Sequence, residues 1–309
     1  MIDILLPTYN GCKYLEEQLR SIIIQKTKNH WNLLIRDDNS IDLTRDIIDE
    51  YQDKYLHKIF LTSDYEKNLG ITSNIACLLK NSRSNYIMFC DQDDVWLEDK
   101  IEVTFSMMLK MEHEYGKETP ILIHTDLQVV DSNLNLINHS FQRHQNIDPN
   151  PKKLLPRLLV QNFVTGCTMM INKSLKELIN TIPTEAIMHD WWIALIAATM
   201  GKIAYINEPT VLYRQHQNNT IGANRWGINY ILTKVKNIDK IRNTIQRTII
   251  QAQKFREIYQ DNLSAEDIKI IDRYIDMPDK SWLLRKYLML NNGYYQIGKL
   301  KNLGFFIFI

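Results

Sequence analysis

The stretch Tyr86-Ile87-Met88-Phe89-Cys90-Asp91-Gln92-Asp93-Asp94-Val95-Trp96 joins a run of apolar residues to a group of carboxylates. Its first part, residues 86–90, has the short apolar pattern of a buried β-strand. Three acids follow within four residues, and carboxylate oxygens suit Mg²⁺ or Mn²⁺, ions that commonly bridge to phosphates. The stretch therefore predicts a strand that ends in a metal–phosphate site. The alternative is a cluster of helix-capping acids in front of a helix that begins at Leu97.

Strand and helix patterns alternate along the chain on both sides of this stretch. Strands are predicted over residues 2–9, 31–36, 58–62, 86–90 and 121–130, and helices over 14–25, 43–51, 70–79 and 97–112. Since each helix would serve as a crossover, this order predicts parallel strand pairing. Sheets of this kind bind ligands at the carboxyl ends of their strands. Three polar groups follow strands in this way: Thr8-Tyr9-Asn10, Asp37-Asp38 and Asp91–Asp94.

The second half of the chain is mixed and then purely helical. We predict a helix over 154–161, a strand over 167–172, a helix over 190–200 and a strand over 203–213. Beyond residue 221 the pattern is helical to about residue 301, with Pro278 as a breaker. We therefore expect an α/β domain over 1–222 and a helical region over 223–309 that serves membrane-surface, acceptor or dimer contacts.

The composition excludes several classes of protein. The 309 residues carry a net charge of +1, which excludes a histone-like binder of nucleic acid, and 45% of them are hydrophobic, which excludes disorder as the main state. The four cysteines form no Cys-x-x-Cys pair, so neither a zinc knuckle nor a disulfide framework is expected. No signal-peptide pattern and no apolar run of about 18 residues is present, and a reducing, cytoplasmic location fits best.

Charge is distributed unevenly. Residues 225–260 contain eight basic and two acidic residues, and residues 280–309 contain five basic and none acidic. Aromatic residues are interspersed with these cations, which favours a surface for anionic lipid or a polyanionic substrate. The alternative is a helical pack with solvated basic faces. The apolar segment 303–309 would be a buried end, an interfacial anchor or the end of a truncated chain.

Six motifs together resemble the family 2 glycosyltransferases, over about residues 1–220. They are Pro7-Thr8-Tyr9-Asn10, Arg36-Asp37-Asp38-Asn39-Ser40, Phe89–Trp96, Thr165-Gly166-Cys167-Thr168, His189-Asp190-Trp191-Trp192 and Tyr213-Arg214-Gln215-His216-Gln217-Asn218-Asn219. The bacterial branch that builds rhamnose- or galactofuranose-containing surface polysaccharides is the most similar. The resemblance implies a GT-A fold, that is, a mixed and mostly parallel sheet flanked by helices. It also implies a nucleotide-diphospho-sugar donor, a divalent metal (Mn²⁺ or Mg²⁺) and inversion at the anomeric carbon.

The resemblance also assigns roles to individual residues. The nucleotide sugar would be bound by Pro7, Thr8, Tyr9, Asn10, Asp38, Asp91, Gln92 and Arg214. The usual family form Asp-Asp-Gly-Ser has Asn39 in place of its glycine, and Asn also tolerates a left-handed turn. The alternative for Asp37 and Asp38 is a local turn and helix capping.

The metal would be held by Asp91, Asp93 and His216, with Asp93 as the more direct of the two carboxylate ligands. Arg214 would neutralise the departing diphosphate. The alternative for His216 is a structural histidine.

Asp190 would be the general base that takes the proton of the acceptor hydroxyl, and the acceptor would be bound by Gly166, Cys167, Trp191 and Trp192. The alternative is that Asp190 caps its helix and both tryptophans lie in the core. Nucleophilic catalysis by Cys167 is not expected, because no general-base partner is identified.

The sequence therefore predicts an inverting, metal-dependent glycosyltransferase that acts in bacterial surface polysaccharide synthesis. The expected donor is dTDP-rhamnose, with a UDP-hexose or UDP-galactofuranose next, and the acceptor is a glycan or a polyprenyl-diphosphate-linked glycan. A peripheral position on the inner face of the membrane and a homo-oligomer are further expectations. The alternative is a catalytically silent subunit of the same fold that binds carbohydrate or membrane.

Overall fold

The structure is a computed structural model that describes residues 1–62, 68–179, 181–216, 238–296 and 305; the side chains of residues 238, 240 and 241 are outside the description. The chain forms two compact units. The first contains Met1–Phe141, Val164–Ile182 and Gly201–Gly222, and the second contains Gln142–Phe163, Pro183–Met200 and Ala223–Ile309. The expected division at residue 222 stays a prediction, while the second unit also includes two segments from the earlier part of the chain.

A nine-stranded mixed sheet forms the centre of the first unit. Its strands are β1 (Ile2–Thr8), β2 (Trp31–Asp37), β3 (Ile59–Leu61), β4 (Tyr86–Phe89), β5 (Val95–Trp96), β6 (Ile121–Val130), β7 (Leu136–Asn138), β8 (Met170–Asn172) and β9 (Lys202–Arg214). The spatial order is β3-β2-β1-β4-β8-β6-β9-β5, and β7 pairs with β6. Strands β1 to β4 are mutually parallel, as are β6 and β9, whereas β8, β5 and β7 pair antiparallel. The predicted mixed, mostly parallel sheet is confirmed.

Eleven α-helices lie within the described residues. They are α1 (Leu15–Ile23), α2 (Thr44–Lys54), α3 (Ile71–Asn81), α4 (Lys100–Tyr115), α5 (Phe141–Gln145), α6 (Leu154–Val160), α7 (Lys173–Leu178), α8 (His189–Met200), α9 (Ile238–Tyr259), α10 (Ala265–Ile275) and α11 (Trp282–Asn292). None of them is long and apolar enough to cross a bilayer. Short 3₁₀ turns occur at Gly166–Thr168 and at Met277–Asp279, the second of which contains the predicted breaker Pro278.

Local sequence patterns explain the elements that support the site. All seven residues of β1 are buried, as expected for a central parallel strand with both faces covered. Helix α1 buries Leu15, Leu19 and Ile22 on one face and carries Glu16 and Glu17 in its first turn, where acids interact favourably with the helix dipole. The strands whose carboxyl ends carry the predicted site residues are therefore supported by a packed core.

Three details differ from the sequence predictions. Helix α4 begins at Lys100 and β5 lies between it and the acids, so the interpretation of Asp91–Asp94 as capping residues of a helix from Leu97 is wrong. The predicted strand over 167–172 is a 3₁₀ turn followed by the shorter β8. Helix α8 begins at His189, which places Asp190 inside the first turn rather than at the N-cap.

Some sequence predictions fall on residues outside the description. They concern the motif residues Gln217, Asn218 and Asn219, the cations Arg225, Lys234 and Lys236, and the apolar tail apart from Phe305, which is buried.

Candidate functional site

The loops after β1 and β4 are joined by a two-point clamp. The Tyr9 backbone N–H donates to Gln92 Oε1 at 2.8 Å, and Gln92 Nε2 donates to the Tyr9 carbonyl at 3.0 Å. A Cβ on Gly11 would stand 2.3 Å from Gln92 Oε1, so only glycine leaves room for the clamp. The side chain of Gln92, which the resemblance places on the nucleotide sugar, thus holds the backbone of Tyr9, while the Tyr9 ring is exposed.

The loop after β2 is joined to the loop after β1 by polar side chains. Thr8 Oγ1 donates to Asp37 Oδ1 at 2.9 Å, and the Asn10 N–H donates to Ser40 Oγ at 2.8 Å. Asn10 and Asn39 both adopt positive φ angles, of 47° and 68°. Asn39 therefore makes the left-handed turn for which the usual family form has glycine.

Asp38 lies at the same edge of the sheet, but it is buried and both of its carboxylate oxygens accept hydrogen bonds from the protein. Its Oδ1 accepts from Arg36 Nη1 at 2.8 Å and from the Leu69 N–H at 2.9 Å, and its Oδ2 accepts from the Gly70 N–H at 2.8 Å. These contacts connect β2 to the start of α3. The predicted role of Asp38 in nucleotide binding stays a prediction, and the contacts shown are structural ones.

Asp93 and His216 are brought together from positions 123 residues apart. His216 Nε2 lies 2.8 Å from Asp93 Oδ2, and both side chains retain partial exposure. Asp93 belongs to the loop after β4, and His216 follows β9. Two of the three predicted metal ligands thus lie side by side, as a carboxylate and an imidazole within hydrogen-bonding distance.

The other two acids of the motif differ in burial. Ligand atoms of Asp91, Asp94 and Cys167 all lie within 4.8 Å of one another. Asp94 is completely buried; its Oδ1 accepts from the Arg214 backbone N–H at 3.1 Å, and its carboxyl group also hydrogen-bonds with the Cys167 side chain. Burial, and then the charges of Asp93 and Asp91, raise the pKa of Asp94 well above its usual value.

A buried lysine lies close to these acids. Lys100, the first residue of α4, has no exposed surface; its Nζ donates to Thr210 Oγ1 at 3.3 Å and stands 4.8 Å from the centre of the Trp96 ring. Burial lowers the pKa of Lys100 to about 8, although the Cys167 and Cys90 thiols and the Asp94 and Asp91 carboxylates oppose this shift. A cation is thus enclosed in the protein next to the acidic motif.

Arg214 is buried and points into the protein. Its Nε donates to the Asp93 carbonyl and its Nη1 to the Ser132 carbonyl, both at 2.8 Å, and its Nη2 donates to Glu17 Oε2. The guanidinium also stacks on the Tyr14 ring, 4.4 Å from its centre. The predicted contact of Arg214 with a diphosphate stays a prediction; the contacts shown are all with the protein.

Gly166 and Cys167 form a buried 3₁₀ turn in the first unit. Burial raises the pKa of the Cys167 thiol well above its usual value, and Asp94 and Asp91 raise it further. The thiolate form is therefore strongly disfavoured, which agrees with the expectation that Cys167 is not a nucleophile. An acceptor contact of these two residues stays a prediction.

Asp190, Trp191 and Trp192 belong to the second unit. Asp190 is buried, and its Oδ1 accepts from the Trp191 backbone N–H at 2.6 Å. Trp191 Nε1 donates to the Leu158 carbonyl at 2.5 Å. Trp192 is fully buried and packs edge-on against Phe255, so its ring has no exposed face for stacking on a sugar. Trp192 is therefore a core residue, and its predicted contact with the acceptor is wrong. The role of Asp190 as general base stays a prediction.

Sequence reasoning missed Tyr14, Glu17 and Lys100. One signal for Lys100 was present: a lysine at the first position of a helix opposes the helix dipole, so another interaction has to compensate for it. Glu17 and Tyr14 gave no such signal, because an acid in the first turn and an aromatic residue at a helix start are common in any surface helix.

The family is shown by comparison with known proteins. The family model described as "Glycosyl transferase family 2" matches residues 3–179. The chain belongs to this family. The chain is 31% identical over 230 residues to the dTDP-rhamnosyl transferase RfbG of Shigella flexneri, covering 71% of this chain and 74% of the relative. It is 28% identical to the putative teichuronic acid biosynthesis glycosyltransferase TuaG of Bacillus subtilis, covering 73% and 83% respectively.

Solved structures of glycosyltransferases share the fold of this family 2 chain. Residues 1–349 of S. aureus TarS in complex with UDP-GlcNAc align with a TM-score of 0.56 at 14% identity, covering 98% of this chain and 89% of that one. The mannosyltransferase PcManGT of Pyrobaculum calidifontis, in complex with GDP-Man and Mn²⁺, aligns with a TM-score of 0.53 at 14% identity, covering 94% and 79%. The fold of this chain is GT-A.

Proposed function

We propose that this family 2 chain is an inverting, metal-dependent glycosyltransferase of bacterial surface polysaccharide synthesis. The observation that supports this most is the meeting of Asp93 and His216 at the carboxyl edge of the sheet. The loops after β1 and β2 are held at the same edge by the Gln92 clamp and by Thr8 and Asp37. A cation site and the nucleotide-facing loops of the fold are then neighbours, which is what transfer from a diphospho-sugar requires.

The donor atoms of this site fit a divalent cation. Asp93 and His216 offer an oxygen and a nitrogen 2.8 Å from each other, and Asp91 lies two residues before Asp93 in the same loop. Carboxylates and neutral imidazole suit Mn²⁺, and carboxylates suit Mg²⁺. Asp91, Asp93 and His216 would hold the ion. When bound, it would stabilise negative charge on the departing diphosphate.

The remaining chemistry is carried by the chain's own residues. The acceptor oxygen forms a bond to the anomeric carbon as the bond from that carbon to the diphosphate oxygen breaks, with inversion of configuration. Asp190 would accept the proton of the acceptor hydroxyl during this attack. Pro7, Thr8, Tyr9, Asn10 and Asp38 would line the nucleotide pocket, and Gly166, Cys167 and Trp191 would contribute to the acceptor side.

The proposed donor is dTDP-rhamnose, with UDP-hexose or UDP-galactofuranose as the next candidates. The relative RfbG, named as a dTDP-rhamnosyl transferase, supports the first of these. The proposed acceptor is a glycan hydroxyl, free or linked to a polyprenyl diphosphate.

A peripheral membrane contact through the second unit is also part of the proposal. Helix α11 exposes Leu283, Tyr287 and Leu290 on one face and Trp282 beside it. No acidic residue occurs from Lys280 to the end of the sequence, whereas five basic residues do. An apolar face with interfacial aromatics, in a segment of positive net charge, is typical of helices that lie on anionic membranes.

The catalytic proposal is tested by turnover of a donor panel with Mn²⁺ or Mg²⁺, comparing wild type with Asp93→Ala. We expect metal-dependent release of the nucleoside diphosphate by the wild type and a loss of about 100-fold or more in the variant. Equal rates for the two proteins would contradict the catalytic role and favour the silent carbohydrate- or membrane-binding subunit.

The membrane contact is tested by flotation with vesicles of phosphatidylglycerol and phosphatidylcholine. We expect binding that weakens with salt and that falls further in Leu283→Glu. The exposed Leu136→Glu, in the first unit, is the control. The membrane contact would be contradicted if the wild type stays unbound at low salt, or if both variants bind the vesicles equally well. If the wild type self-associates and Leu283→Glu does not, the exposed face is a homo-oligomer surface instead.

A further inference from the structure

Arg214 connects three separate segments of the first unit. Its guanidinium donates to the Asp93 carbonyl, to the Ser132 carbonyl and to Glu17 on α1, and its backbone N–H donates to Asp94 Oδ1. Only 2% of the Arg214 side chain is exposed. Two of these four contacts are with the acidic motif itself, so a displacement of Arg214 displaces the backbone that carries the Asp93 carboxylate.

Tyr14 contacts both Arg214 and the predicted metal ligand His216. Its ring centre stands 4.4 Å from the Arg214 guanidinium and 4.9 Å from the centre of the His216 ring. The two residues are therefore held against the same aromatic ring, one of them through a cation–π contact. A change in the packing of Tyr14 would therefore affect both Arg214 and His216.

Glu17 is the accessible end of this arrangement. It is half exposed and ion-pairs with the buried Arg214, whereas its neighbour Glu16 is equally exposed and ion-pairs with the exposed Arg20. The two glutamates thus share residue type, helix turn and solvent exposure. They differ in the partner that each one contacts.

We propose that Glu17 and Arg214 are positioning residues of the metal site: Glu17 fixes the Arg214 guanidinium, and Arg214 with Tyr14 fixes Asp93 and His216 in the geometry that binds the ion. This inference rests on the proposed function. It gives Arg214 a different role from the diphosphate contact that the family resemblance implies. Three of the five guanidinium N–H groups donate to protein oxygens and only 2% of the side chain is exposed, so the contacts shown hold Arg214 inside the protein rather than at a surface open to a phosphate.

The test is Mn²⁺ binding, measured by electron paramagnetic resonance of free Mn²⁺ in protein without donor. We expect Glu17→Ala to raise the Mn²⁺ Kd about 10-fold, the range found when a residue that orients a metal ligand is removed. Glu16→Ala is the matched control and stays within about twofold of wild type. Glu17→Gln keeps one hydrogen-bond acceptor for Arg214 and falls between wild type and Glu17→Ala. Thermal unfolding of all variants separates a changed site from a changed fold.

Arg214→Lys separates the two roles of the arginine. A lysine can reproduce only part of the hydrogen bonding of the guanidinium with Asp93, Ser132 and Glu17. If Arg214 is a positioning residue, Arg214→Lys therefore binds Mn²⁺ more weakly, while its affinity for the free nucleoside diphosphate in EDTA is unchanged. The proposal is overturned if Glu17→Ala and Glu16→Ala bind Mn²⁺ alike, or if Arg214→Lys loses nucleotide affinity in EDTA but keeps its Mn²⁺ affinity. Wild type that binds Mn²⁺ no better than Asp93→Ala overturns the proposed function itself and this inference with it.

Discussion

Two buried carboxylates at opposite ends of the same region of sheet show how a structural acid differs from one at a site. Asp3 lies near the amino end of β1, and Asp94 follows the carboxyl end of β4, the strand that pairs with β1. Both side chains are almost completely buried. Their hydrogen bonding and the directions of their pKa shifts are opposite.

Asp3 is saturated with donors. Its two oxygens accept from Asn32 Nδ2, from the hydroxyls of Ser82 and Ser84, and from the backbone N–H groups of Arg83 and Ser84, at 2.7 to 3.2 Å. Burial acts to raise its pKa, but the hydrogen bonds from Ser84, Ser82 and Asn32 together lower the pKa below the usual value. Hydrogen bonds from the protein thus stabilise the charged form of Asp3.

Asp94 has one backbone donor, and its pKa is raised by burial and by Asp93 and Asp91. A buried carboxyl group beside two other acids is disfavoured as an anion, and a cation bound nearby would favour its charged form. The carboxylate at the amino end of these strands is thus satisfied by donors of the chain itself, whereas the acids at the carboxyl end repel one another in a way that the proposed cation would relieve.

The largest effect is expected for Asp3→Asn. The amide would place an NH₂ group against the donors that now converge on the carboxylate, so we expect a loss of about 3 kcal/mol in the free energy of unfolding by urea. Asn32→Ala, which removes one of the five hydrogen bonds, is the control and costs about 1 kcal/mol. Mn²⁺ affinity is expected to stay within twofold of wild type in both variants; a larger change would show that the two ends of the sheet are not independent.

The buried cation at the carboxyl end gives the second prediction. The pKa of Lys100 is about 8 in the folded protein, against an ordinary value of 10.5, so between these pH values the unfolded chain binds more protons than the folded one. The wild type therefore gains stability relative to Lys100→Met as the pH rises from about 8 to 10.5. The gain is on the order of 2 kcal/mol by pH 10. Urea unfolding at pH 7.5 and 9.5 measures it. The exposed Lys173→Met is the control, and parallel pH curves for wild type and Lys100→Met would contradict the buried position of this amine.

The third prediction concerns the clamp between the loops after β1 and β4. Gly11→Ala forces Gln92 away from the Tyr9 backbone, so we expect the KM for the donor to rise about 10-fold with little change in kcat. In the double variant Gly11→Ala with Gln92→Ala the clash is gone, and its KM should equal that of Gln92→Ala alone. A double variant much worse than Gln92→Ala would mean that Gly11 acts through something other than the clamp.

The smallest effect is expected for Asp94→Asn in the absence of metal. Because the pKa of Asp94 is raised well above its usual value, its charged form is already disfavoured, and an amide of the same shape should leave the free energy of unfolding unchanged or raise it by about 1 kcal/mol at neutral pH. This is the reverse of Asp3→Asn, so the two variants form a matched pair. If Asp94→Asn is destabilised as strongly as Asp3→Asn, the distinction between the two carboxylates does not hold.

The first unit was predictable wherever a short stretch of chain decides the outcome. Apolar runs with flanking turn residues located β1, β2 and β4, and the crossover helices implied their parallel order. The antiparallel pairing of β8 and the two-residue β5 were not predicted, because segments this short carry no periodicity of their own and are defined by the strand beside them.

By itself, the sequence determined which chemical groups leave the carboxyl ends of the strands, because strand length and the position of Asp91–Asp94 are local properties of the backbone and its hydrophobic pattern. Only the tertiary structure decided what those groups face. His216 meets Asp93 from 123 residues away, Glu17 meets Arg214 from 197 residues away, and Trp192 is buried in the second unit. Such pairings depend on how whole elements pack, and side-chain packing over these distances leaves no periodic trace in the chain.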